Sequence, residues 1–83
     1  IWEIYTLKAT LYEMAIDLAM ETITKKEIAQ LESLVEKMDA CVEKEPFDVL
    51  LYQRLHGTFH NMIMDVAGNR RLKTIAANLH DQV

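Results

Sequence analysis

The chain has 83 residues, a formal net charge of −4 and a hydrophobic content of 51%. This length allows one domain with a thin core, and the apolar fraction excludes a disordered chain. The acidic balance excludes a nucleic-acid-binding surface, which needs clustered Lys and Arg, and no segment has the length of a membrane span. One cysteine, Cys41, cannot form a disulfide within the chain, so we expect a reducing, cytoplasmic location.

Apolar residues at three- and four-residue spacing predict a first amphipathic helix from Trp2 to Glu21. Its apolar stripe is Ile4, Leu7, Leu11, Met14, Ala15 and Leu18. A second helix is predicted to start at Thr24, because Thr24 and Glu27 have the spacing of a capping box. The stripe of this second helix has a heptad-like spacing and consists of Ile28, Leu31, Val35, Met38 and Val42.

The remaining helices are predicted from the residues that interrupt the pattern. Pro46 ends the second helix and lies close to the start of the third, whose stripe is Leu51, Leu55, Phe59, Met62 and Val66. Gly68 is typical of the left-handed residue after a helix, and Asn69 can cap a fourth helix from about Arg70. Its inward residues are predicted to be Leu72, Ile75, Ala76 and Leu79. With no β alternation, residues 1–83 are predicted to form a single all-α domain, an antiparallel bundle of four helices. The helical pattern runs into both ends, so we expect a piece of a longer protein.

Two histidines, His56 and His60, lie one helical turn apart on the apolar side of the third helix. Such a pair can bind one divalent metal ion, but it is only half of a site. Candidate third ligands are Glu13, Asp17 and His80. The alternative is an ordinary pair of helix-surface or core histidines, which is the commoner meaning of this spacing alone. Gly57 follows His56, so the HExxH pattern of a hydrolytic zinc enzyme is absent and we do not expect an enzyme.

Two residues of the first helix are candidate ligand-binding residues. Lys8 lies one turn before Tyr12 on much the same side. A lysine near an apolar stripe usually extends to solvent, and less often it holds an anionic ligand. Cys41 and the five methionines are interpreted as core residues.

With these residues identified, the chain resembles the effector-binding C-terminal domain, the FCD domain, of GntR-family bacterial transcription regulators of the FadR type. The similarity covers nearly the whole chain. It includes LKATLYEMA from Leu7 to Ala15 and the threonine-capped TKKEIAQL segment. The strongest matches are Asp48, Tyr52, Phe59, His60, Gly68, Asn69 and Leu72.

The resemblance implies an effector-sensing, ligand-binding domain with a divalent metal, Zn or Ni, held partly by His56 and His60. Where the family commonly has an aspartate ligand this chain has His56, and it has Lys8 and Tyr12 in place of an arginine and a glutamate of the first helix. The implied partners are a small carboxylate effector and a second copy of the chain. DNA would be bound only through a winged-helix domain absent from this chain, and no membrane is involved. Further helices would supply two more histidine ligands. The alternative is a structural or protein-interaction bundle with no small-molecule site.

Overall fold

The computed structural model describes the backbone of residues 2–81 and the side chains of residues 2–79. Four helices follow one another: α1 (Trp2–Thr22), α2 (Lys25–Glu43), α3 (Val49–Ala67) and α4 (Arg70–Asp81). The described residues contain no strand, and the prediction of an all-α helical bundle is confirmed. The chain divides into two compact units, one of Ile1–Thr22 with Ile63–Val83 and one of Ile23–Met62. A helical domain can contain two such units, so the single domain over residues 1–83 stays a prediction.

In the unit Ile23–Met62, side-chain caps determine where the helices begin. The Thr24 hydroxyl accepts a hydrogen bond from the Glu27 amide at 3.2 Å, and the Glu27 carboxylate accepts one from the Thr24 amide at 2.9 Å. The predicted capping box is therefore confirmed. At the start of α3, Asp48 Oδ1 accepts from the Leu51 amide at 3.3 Å. Asp48 thus caps α3, a role that the sequence analysis did not assign to it.

In the other unit, α1 packs against α4, and the turn between α3 and α4 has the predicted chemistry. Gly68 has a φ of 70°, in the left-handed region. Asn69 Oδ1 accepts from the Leu72 amide at 3.0 Å, so Asn69 caps α4 as predicted. Lys73 forms an ion pair with Asp65 across this turn. The buried apolar residues of this unit are Ala15, Ala19, Ile63, Met64 and Leu72.

Several residues predicted to face inward lie at the edge of the buried surface instead. Ile75, predicted as inward on α4, is 49% exposed, because the buried side of α4 is centred on Leu72. Leu7 and Met14 on α1 are likewise about half exposed. The prediction for Cys41 is confirmed, because it is buried in the unit Ile23–Met62. Each unit therefore has a thin core, as the chain length requires.

Within residues 2–81, every helix falls short of the length and apolar character needed to cross a bilayer.

Substitution by alanine should have opposite effects on stability at the two glycines. Gly57 lies inside α3, and the position that a Cβ would occupy is open space. Gly57→Ala should therefore stabilise the protein by about 0.5–1 kcal/mol, because alanine has the higher helix propensity. Gly68 has a positive φ, so Gly68→Ala should destabilise it by roughly 1 kcal/mol. Urea unfolding of the two variants and the parent chain measures both effects. Shifts of the same sign would contradict this description of the two backbone positions.

Candidate functional site

The two histidines of α3 lie in direct contact. His56 and His60 are four residues apart, so their side chains leave the same side of the helix. The distance between the two Nε2 atoms is 3.0 Å, and the ring centroids are 4.2 Å apart at an interplanar angle of 59°. At this distance one Nε2–H donates to the lone pair of the other Nε2, so the two rings share one proton between them.

This distance matches the separation that one metal ion imposes on two ligand nitrogens. Zinc–imidazole bonds of about 2.0–2.1 Å, at angles between right-angled and tetrahedral, place the two nitrogens about 2.9–3.4 Å apart. The two Nε2 atoms already have this spacing, so little rearrangement of the helix is needed. A divalent ion bound by both Nε2 atoms would displace the hydrogen-bonding proton, which would move to the Nδ1 atom of the donor ring. His56 and His60 therefore fit a metal ion as two adjacent ligands of an incomplete site.

The exposure of the two rings differs from the prediction. His56 is exposed and His60 is partly exposed, whereas both were predicted on the buried side of the helix. The buried residues of α3 are Ile63 and Met64, three and four residues after His60, so they lie on the same side of the helix as the histidines. This side of α3 is therefore buried near the end of the helix, whereas at His56, nearer its start, it is exposed. The expectation of burial is wrong for His56, and the consequence is that an ion or a small ligand can reach its ring from solvent.

Aromatic rings continue the histidine row toward the start of α3. The ring of Tyr52 is nearly parallel to that of His56, with centroids 5.9 Å apart and an angle of 13°. Phe47 meets Tyr52 edge-on at 5.6 Å, and Phe59 lies 6.3 Å from His60. The two imidazoles are thus flanked by aromatic rings along α3. Tyr52 was not predicted to lie beside the histidines, although its four-residue spacing from His56 was the available signal.

No third ligand joins the histidine pair among the described side chains. Over residues 2–79 there is no group of three or more His, Cys, Asp or Glu residues that could hold a metal ion. Glu13 and Asp17 belong to the other unit, and their role as third ligands stays a prediction. The side chain of His80 lies outside the described residues. The metal-ligand assignment of His56 and His60 stays a prediction.

The other two candidate residues lie on α1 in different surroundings. Lys8 places its ammonium group 5.6 Å from the centroid of the Tyr5 ring, a cation–π arrangement. The hydroxyl oxygen of Tyr12 is buried. Burial raises the pKa of the Tyr12 phenol above its ordinary value, because desolvation disfavours the phenolate. Tyr12 is therefore neutral at physiological pH, and the ligand-binding role of Lys8 and Tyr12 stays a prediction.

Comparison with known proteins identifies the family. The family model described as the FCD domain matches residues 3–83. The chain belongs to the FCD domain family. The predicted resemblance is thereby confirmed.

A curated relative of this FCD domain is the "Uncharacterized HTH-type transcriptional regulator YdhC" of Bacillus subtilis (strain 168). The two are 26% identical over 81 residues, which cover 98% of this chain and 36% of the relative. The chain thus spans about a third of the length of that relative. No solved structure matches the chain.

The raised pKa of Tyr12 predicts a pH dependence of stability. The folded state favours the neutral phenol of Tyr12, which adds to the free energy of unfolding. This contribution is complete below the ordinary tyrosine pKa, and it is lost as the pH rises through the higher pKa of the folded state. Tyr12→Phe should therefore lose less stability than the parent chain in thermal unfolding between neutral and strongly alkaline pH. Tyr5→Phe, at a half-exposed tyrosine, is the control. Equal alkaline losses in Tyr12→Phe and the parent would contradict the burial argument.

Proposed function

We propose that this chain is the effector-sensing domain of a bacterial GntR-family DNA-binding transcription regulator. Its ligand is a small anionic metabolite, bound with the help of a divalent metal ion. Membership of the FCD domain family and the name of the Bacillus subtilis relative support the regulatory role. The observation that carries the metal-assisted part is the 3.0 Å separation of the Nε2 atoms of His56 and His60.

The DNA-binding part of this proposal concerns the whole regulator. The present chain has a formal net charge of −4 and covers 36% of its relative's length. DNA contact belongs to a winged-helix domain outside these residues, since a DNA surface needs clustered cations. Ligand binding favours one arrangement of a homodimer and so changes the spacing of the DNA-binding domains.

The chemical type of the two ligand atoms, both imidazole nitrogens, indicates which ions the site prefers. Imidazole nitrogens suit zinc, nickel and copper, whereas carboxylates and water suit magnesium, calcium and manganese. With His56 where the family commonly has an aspartate, both described donors are imidazoles, so we propose Zn or Ni as the resident ion. Once bound, the ion supplies a positive charge that attracts an effector carboxylate at an open coordination position.

A groove in the unit Ile23–Met62 offers space for the apolar part of a small carboxylate. It has a volume of about 270 Å³. Its residues are Lys37, Ala40, Cys41, Lys44, Asp48, Leu51 and Leu55. Lys44 lies 3.8 Å from Asp48, so an anion at this groove would compete with Asp48 for the Lys44 ammonium. Apolar lining with a few charged groups is typical of small-molecule sites.

The second candidate function is a structural or protein-interaction bundle without a small-molecule site. It is favoured by the number of half-exposed apolar side chains on α1 and α2. Enzymatic hydrolysis is not proposed, because Gly57 stands where the HExxH pattern has its general base.

Metal titration separates the two functions. In isothermal titration calorimetry, the parent chain should bind zinc or nickel. The affinity should fall by about tenfold or more in His56→Ala and in His60→Ala, since each variant loses one ligand. Asn61→Ala, at an exposed position next to His60, is the matched control and should bind as the parent does. Affinity should also fall on acidification, because protons compete for the same lone pairs. If both histidine variants bound metal like the parent, the site assignment would be wrong.

Replacing His56 by the residue common in the family tests the proposed ion preference. His56→Asp exchanges an imidazole for a hard carboxylate ligand, so the ratio of manganese to nickel affinity should rise by about tenfold or more. Competition titrations of the variant and the parent chain with both ions measure this ratio. An unchanged ratio would mean that residue 56 does not bind the ion.

A further inference from the structure

Helix α2 carries an exposed apolar row beside an exposed acidic row. Ile28, Val35 and Val42 lie seven residues apart, so they follow one line along the helix. Their exposed fractions are 41%, 40% and 56%. Scattered exposed aliphatic side chains are ordinary, but these three lie along one line and form an apolar strip with one side chain every two turns. The strip is about 21 Å long, at a rise of about 1.5 Å per residue between Ile28 and Val42.

The acidic row lies along one edge of this strip. At about 100° per residue, the following residues occupy the neighbouring side of α2: Glu32, Glu36, Asp39 and Glu43. All four are exposed, and within the described residues none has a cation at salt-bridge distance. Lys25 lies at the N-terminal end of this side. Four like charges in line repel one another, and a partner carrying cations would relieve that repulsion.

We propose that this acidic–apolar face of α2, formed by the apolar row and the acidic row together, binds an amphipathic helix with lysine or arginine along its flank. The length of the strip fits about four turns of a partner helix, whose aliphatic residues at three- and four-residue spacing would lie against Ile28, Val35 and Val42. The partner's cations would lie against the acidic row, which gives the interface its specificity and its salt dependence.

A second copy of α2 fits this face less well. In an antiparallel pair of α2 helices with their apolar rows in contact, the two acidic rows would lie opposite each other. Like charges placed opposite oppose association. Charge complementarity therefore favours a basic helix over antiparallel self-pairing. This inference does not depend on the histidine pair, and it survives even if the metal assignment is wrong.

The test uses two synthetic helical peptides that share the same leucine spacing. One has lysines along its flank, and the other has glutamates at those positions. In fluorescence anisotropy at low ionic strength the lysine peptide should bind the chain and the glutamate peptide should not. Added salt should weaken the binding. NMR amide shifts of the parent chain on addition of the lysine peptide should map to residues 28–43.

Charge reversal provides the matched variants. Glu32→Lys combined with Asp39→Lys should weaken lysine-peptide binding by about tenfold and should gain affinity for the glutamate peptide. Glu3→Lys combined with Glu21→Lys makes the same change of charge on α1 and should leave both affinities unchanged. Circular dichroism checks that each variant is folded.

Three results would overturn the proposal. The first is equal affinity of the parent chain for the two peptides, and the second is a set of amide shifts that lies outside α2. The third is concentration-dependent self-association, measured by ultracentrifugation, that the Glu32→Lys, Asp39→Lys variant abolishes. That last result would identify a second copy of the chain as the occupant of the face.

Discussion

The helical period of α3 places His56 and His60 side by side, and the chemistry available to this chain depends on that contact. Two imidazoles with their Nε2 atoms 3.0 Å apart are placed to share a hydrogen bond, and the same two atoms are spaced to bind a common ion. The neighbouring Tyr52 ring lies nearly parallel to the imidazole of His56. Two ligands on a regular helix are held more rigidly than two ligands on a loop. Less conformational entropy is therefore lost when both bind one ion.

Local signals in the sequence predicted the helix boundaries well. The capping box at Thr24 and Glu27, the left-handed Gly68 and the cap at Asn69 all depend on residues within one turn of each other, so the sequence alone determines them. Asp48 was missed as the cap of α3, because it was interpreted only as part of a family pattern. Burial was predicted less well than the helix boundaries, as the half-exposed Ile75 shows. An apolar stripe shows which side of a helix faces the core. How many residues on that side are buried depends on which helices pack against it.

The candidate site was predictable only in part, for the same reason. The spacing of His56 and His60 predicts their proximity, but it cannot predict that His56 is exposed. Nor can spacing supply a third ligand, since ligands from separate elements meet only through tertiary packing. The heptad-like stripe of α2 was interpreted as core, yet Met38 is buried while Val35 is 40% exposed. The stripe is therefore divided between the core and a surface that faces outward beside the acidic row.

We propose that His56 and His60 together bind one ion through their Nε2 atoms. This proposal is tested most directly by NMR of the histidine ring nitrogens during zinc titration, with the signals assigned from the His56→Ala and His60→Ala spectra. The Nε2 signals of both residues should shift together at the same zinc concentration, and both Nδ1 atoms should carry a proton in the zinc-bound state. An Nε2 shift at one residue only, or zinc bound through an Nδ1 atom, would contradict the proposal.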